Sequence, residues 1–79
     1  MNFPVDMERE VNQELLHFIA QRIKALRTEK GLTQENFYND TNIHIGRIEL
    51  AKRDISVSTI SKICDYFEIS ISTFFEDFK

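Results

Sequence analysis

The sequence predicts an all-α fold, a compact five-helix bundle with an N-terminal helical extension. Three observations carry this expectation. Apolar residues recur at spacings of three and four from Val11 to Leu26 and again from Ile60 to Phe67, as a helix face requires. Hydroxyl residues stand just ahead of several apolar runs, where helix caps belong. No stretch shows a convincing strand alternation, and only two Gly and one Pro interrupt the 79 residues.

Taken in order, Val11, Leu15 and Phe18 form one apolar series and Ile19, Ile23 and Leu26 another. Together they predict one long helix from about Asp6 to Lys30. Asp6, Glu8 and Glu10 suit its positive end, and Pro4 falls outside it. Gly31 is the stop. Thr33 is the expected cap of the second helix, with Gln34 and Glu35 in its first turn. A short third helix follows, capped by Asp40 or Thr41. Ile45 and Ile48 lie on its inner side, and Asn42, His44, Arg47 and Glu49 are its polar residues. Gly46 lets something approach closely, at a helix cost of roughly 1 kcal/mol.

Ser56 caps a fourth helix in which Ile60, Ile63, Cys64 and Phe67 make the clearest amphipathic stripe in the chain. A last short helix, capped by Ser70 or Ser72, gathers Phe74, Phe75 and Phe78 within one turn. Phe37, Phe67 and Phe74 are expected to fill much of the core, each contributing about 1.5 to 3 kcal/mol when fully buried.

Composition narrows the function classes. A domain of 79 residues supports one modest core and buries only about 60% of its unfolded surface, so partner contacts matter to its stability. Cys64 is the single cysteine; it allows no internal disulfide and reads as a small buried hydrophobe. No apolar run approaches the roughly 20 residues needed to span a bilayer. Met1-Asn2-Phe3-Pro4 followed by acidic residues lacks the pattern of an export signal. The expectation is a cytoplasmic protein. His17, His44 and Cys64 have no metal-ligand spacing, and no nucleophile and base are tied together, so neither enzyme, metal nor cofactor is expected.

The formal net charge of −3 argues against a nucleic-acid partner until it is divided along the chain. Residues 20–62 hold eight Lys or Arg against five Asp or Glu, a net +3, whereas 1–19 and 63–79 each carry −3. The positive charge lies within residues 20–62, and the acid lies at the ends. That distribution permits a polyanionic partner there.

Several motifs stand in a telling order: Arg22-Ile23-Lys24-Ala25-Leu26-Arg27, Glu29-Lys30-Gly31-Leu32-Thr33-Gln34-Glu35, Arg47-Ile48-Glu49, Lys52-Arg53, then Ile60 to Phe75. The set resembles the Cro/C1-type, or XRE-type, family of helix-turn-helix DNA-binding regulators, whose fold is that of the lambda-repressor-like domains. The likeness divides the chain into a helical arm, 1–17, and a DNA-binding domain, 18–79. It implies a small transcriptional regulator, in the first instance a repressor, that binds double-stranded DNA as a homodimer. Asn42, Ile43, His44 and Arg47 would lie on the recognition helix and meet base edges in the major groove. Gln34, Lys52, Arg53, Ser58 and Thr59 would meet phosphates, with Lys30 a weaker candidate. Arg22 and Glu49 would form a structural ion pair. The alternative is a protein-interaction module on the same fold, an antitoxin or docking domain with little DNA affinity.

This chain departs from the family in two ways. Between Gln34 and Arg47 it is about three residues shorter, nearly one turn at 3.6 residues per turn. Tyr38 replaces a customary alanine, and the turn glycine is missing, with Asn39, Asp40 and Asn42 nearby as residues that tolerate left-handed backbone. Either the second helix or the turn is expected to be truncated.

Overall fold

A computed structural model describes residues 12–78. Asn12 has extended backbone and its side-chain oxygen accepts the Leu15 N–H at 2.9 Å, a cap that starts α1 at Gln13 (Gln13–Glu29). The helix therefore begins at a local polar cap and not near Asp6. Pro4, Asp6, Glu8, Glu10 and Val11 lie outside the described residues. At its other end the Gly31 N–H bonds Thr28 O and the Leu32 N–H bonds Arg27 O, each at 3.0 Å. Gly31 sits at φ +68, the left-handed conformation this stop requires.

In α2 (Gln34–Thr41), Thr33 is the cap, and the exchange is reciprocal: Thr33 Oγ1 accepts the Asn36 N–H at 3.0 Å, while Asn36 Oδ1 accepts the Thr33 N–H at 3.2 Å. Asp40 and Thr41, expected to cap the next helix, instead complete this one. Asn42 ends it in left-handed backbone, φ 65. Thr41 braces the turn, donating its hydroxyl to Phe37 O at 2.8 Å and accepting the Ile43 N–H at 3.1 Å. Only 42–44 separate α2 from α3 (Ile45–Glu49), a helix of five residues whose cap, His44, makes no side-chain capping bond. Of the two elements expected to be truncated, α2 has eight residues and the turn three.

Ser56 caps α4 (Val57–Phe67), accepting the Thr59 N–H at 3.1 Å, and Ser70 caps α5 (Ile71–Phe75), accepting the Thr73 N–H at 3.0 Å. Five helices and no strand make up the described residues. Ile19, Ile23, Leu26, Phe37, Ile45, the Ile60 to Phe67 stripe and Phe74 join in one core. Phe37 and Phe74 are fully enclosed. A second, smaller cluster joins Leu16 and Ala20 of α1 to Ala51 beyond α3, where Gln13 Nε2 also donates to Ala51 O at 3.0 Å. α3 is thereby held chiefly against α1.

The expected pair of Arg22 with Glu49 does not form. Arg27 takes Glu49, at 2.9 Å, while Arg22 donates to the carbonyls of Phe74 at 3.2 Å and Thr73 at 3.4 Å, satisfying the end of α5. Five positions apart on one helix, the two arginines point about 140° away from each other. α3 docks on the side of Arg27 and α5 on the side of Arg22.

Candidate nucleic-acid interface

The short α3 is anchored from below by two means. Ile45 is buried and Ile48 half-buried against the core. Glu49, at the end of the same helix, accepts from Arg27 Nε at 2.9 Å and Nη2 at 3.0 Å, and from Gln34 Nε2 at 3.1 Å. Arg27 also donates Nη1 to Leu32 O at 2.8 Å. The two side chains of the bidentate pair are only 11% and 8% exposed, so it is a well-shielded ion pair of the stronger, two-bond kind. The hydrogen bonds that it donates to Glu49 raise the pKa of the Arg27 guanidinium, with burial opposing them.

Gly46 belongs to this anchor. A Cβ there would stand 2.9 Å from Gln34 Oε1, so the close neighbour that the glycine admits is the Gln34 amide. The start of α2 and the middle of α3 can then touch, and Gln34 reaches Glu49.

With its inner side fixed, α3 and the segment after it turn their cations outward. Arg47, Lys52 and Arg53 are all exposed, and Leu50 beside them is 63% exposed. A groove of about 260 Å³ runs between α3 and the start of α4, lined by His44, Arg47, Ile48, Arg53, Ser56 and Thr59 among others. Arg47, Leu50, Lys52 and Arg53 border an adjoining hollow of about 290 Å³. Exposed cations at the lip of a groove suit a ligand that carries regularly spaced anions. The Thr59 N–H is taken by the Ser56 cap, while the first N–H groups of α4, at Val57 and Ser58, have no acceptor within their own helix.

The expected site residues divide on this geometry. Of Asn42, Ile43, His44 and Arg47, only Arg47 is within α3. Asn42 is the exposed left-handed residue that ends α2, Ile43 is half-buried against the core, and His44 caps α3 from the turn. Among the phosphate candidates, Lys52, Arg53 and Ser58 are exposed and Thr59 is half-buried, its hydroxyl 2.8 Å from that of Ser56. Gln34 is exposed but already bound to Glu49. Lys30 lies over the Phe67 ring, 6.0 Å from its centroid, so its charge is engaged by an aromatic face.

Two participants escaped the sequence reading. Arg27 was passed over for Arg22, although both face α3 or α5 from the same helix. Tyr38 was noted only as an unusual residue, yet its ring stacks on the His44 imidazole with centroids 4.4 Å apart. Six positions is not a helical spacing, and only the short turn between α2 and α3 brings the two rings together.

Comparison with known families adds one result: a helix-turn-helix family model matches residues 23–74, a span that takes in the whole of α2, the turn, α3 and α4. No curated protein matches the chain.

Proposed function

Since the chain belongs to the Cro/C1-type helix-turn-helix family of DNA-binding regulators, which is a regulatory and not an enzyme family, we propose that it is a small transcriptional repressor that inserts α3 into the major groove of a short operator. The observation that carries this reading is the two-sided arrangement of α3. Ile45, Ile48 and Glu49 are committed to the core, while Arg47, with His44 before it and Lys52 and Arg53 after it, is exposed.

In this pose Arg47 reads a guanine edge and His44 the neighbouring base, while Asn42 approaches from the turn. Ile43 offers only its uncovered part to a thymine methyl. Lys52, Arg53, Ser58 and Thr59 engage phosphates, and Gln34 joins them through the second N–H of the amide nitrogen that it shares with Glu49. Repression then needs nothing beyond occupancy of the site. The same proposal places the protein in the cytoplasm, where its DNA is; among the described residues no helix is long and apolar enough to cross a membrane.

One such unit reads few base pairs, so the proposal includes a homodimer on half-sites about one turn, roughly 34 Å, apart. The half-buried Phe18, Phe75 and Phe78, whose rings lie 6.1 and 5.2 Å from centroid to centroid across α1 and the end of the chain, are the proposed contact. The division into an arm, 1–17, and a DNA-binding domain, 18–79, is kept in this reading, with Leu16 carrying the last turn of the arm into the core. Equilibrium sedimentation showing only monomer, with and without DNA, removes the dimer.

Selection from random duplexes followed by sequencing tests the function itself. Enrichment of a short sequence, with affinity that falls steeply as salt is added, is the expected result. Failure to enrich any duplex, together with salt-insensitive binding to a protein, would point to the docking role instead.

A further inference from the structure

The Tyr38 ring does no work in the core. It is 36% exposed, and the neighbouring Phe37 supplies the buried aromatic of α2. Its contact is the stack on His44, 4.4 Å between centroids and 30° between planes. The imidazole is not used to cap α3, although it occupies the capping position. It borders the groove shared by Arg47, Arg53 and Asp54.

The turn that holds the two rings together is stiff. The Asn42 N–H bonds Tyr38 O at 2.7 Å, Asn42 is left-handed at φ 65, and Thr41 bonds both Phe37 O and the Ile43 N–H. Both ends of the stack are therefore fixed to well-placed backbone. An imidazole held against a ring has lost its rotational freedom before any ligand arrives, and a side chain ordered in advance discriminates better than one ordered on binding.

We propose that Tyr38 is a positioning residue for sequence reading: its ring serves as the platform that aims His44 at one base pair, so that recognition at that pair depends on a residue of α2 that need not touch the DNA. This rests on the DNA-binding reading above, and goes beyond it by assigning a specificity role to Tyr38. The three-residue turn, 42–44, is what brings the two rings together.

The test is a duplex selection carried out in parallel with the wild type, His44→Ala, Tyr38→Ala and Tyr38→Phe, each checked for cooperative melting. His44→Ala and Tyr38→Ala are expected to lose preference at the same single base pair, by about tenfold, while Tyr38→Phe keeps it and the position read by Arg47 is unchanged in all four. In the protein without DNA, the His44 ring protons should be shifted upfield by the Tyr38 ring in nuclear magnetic resonance spectra, a shift kept in Tyr38→Phe and lost in Tyr38→Ala. If Tyr38→Ala binds DNA with its base preference intact, or loses preference at every position alike, the positioning role is overturned while the DNA-binding reading stands. If the wild type enriches no duplex, both fall.

Discussion

Arg47 and Lys52 are both exposed cations a few residues apart, yet they should fail differently when removed. Arg47 is on the helix proposed to meet base edges, so Arg47→Ala is expected to weaken binding to the selected duplex by about 1 to 3 kcal/mol and to relax preference at one base. Lys52 is on the following loop; Lys52→Ala should weaken binding to all duplexes alike and lower the slope of log K against log salt by about one. Binding titrations over a salt series check both. Tyr66 offers a pH test of a single contact. Its hydroxyl donates to Asp40 Oδ2 at 2.6 Å, and that bond raises the phenol pKa above its ordinary value. The stability it adds is present in full below the unfolded pKa of about 10 and is lost as pH rises through the higher folded value. The gap in melting temperature between the wild type and Tyr66→Phe should thus be steady from pH 7 to about 9 and close above about 10.

At the scale of elements, α3 has only five residues, too few to persist as an isolated helix. It exists because Arg27 and Gln34 converge on Glu49 and because Ile45 and Ile48 are embedded. Replacing Glu49 with Ala leaves a shielded guanidinium without its partner, and is expected to cost about 3 kcal/mol in chemical denaturation. Arg22→Ala should cost less, since it removes only hydrogen bonds to the end of α5. Gly46→Ala sets two effects against each other: alanine gains up to about 1 kcal/mol of helix propensity, but its Cβ displaces the Gln34 amide from Glu49. In the Gln34→Ala background the obstruction is gone, so Gly46→Ala should stabilise there and not in the wild type, as a double-mutant cycle will show.

What could be read from the sequence at this scale was local. Thr33 and Ser56 act on N–H groups three residues ahead, and Gly31 adopts backbone that few other residues accept, so each is visible without knowing the fold; Ser70 is one of two expected caps, and Asn42, expected within the third helix, ends the second. The amphipathic stripe of α4 is visible for the same reason. The start of α1 was misjudged because the apolar period continues past Asn12, and period alone outweighed a cap. The choice between Arg22 and Arg27, and the meeting of Tyr38 with His44, depend on which side of α1 receives α3 and on how tightly a three-residue turn closes. Neither is encoded in spacing along one helix. The small cluster of Leu16, Ala20 and Ala51 was missed likewise, since alanines give little periodic signal.

Over the whole molecule, the electrostatics follow the division of charge along the chain. The net +3 of residues 20–62 comes from 20–30 on and just after α1, where Arg22, Lys24, Arg27 and Lys30 face only Glu29, while 31–62 balances four Lys or Arg against four Asp or Glu. What draws a duplex to α3 is therefore the local exposure of Arg47, Lys52 and Arg53, and not a net excess of positive charge around them. The most direct test of this account is to follow the amide resonances of the labelled protein as a selected duplex is added. The largest shifts are expected between Asn42 and Thr59, with those of His44, Arg47, Arg53 and Ser58 foremost. Saturable binding that leaves this segment unmoved would contradict it.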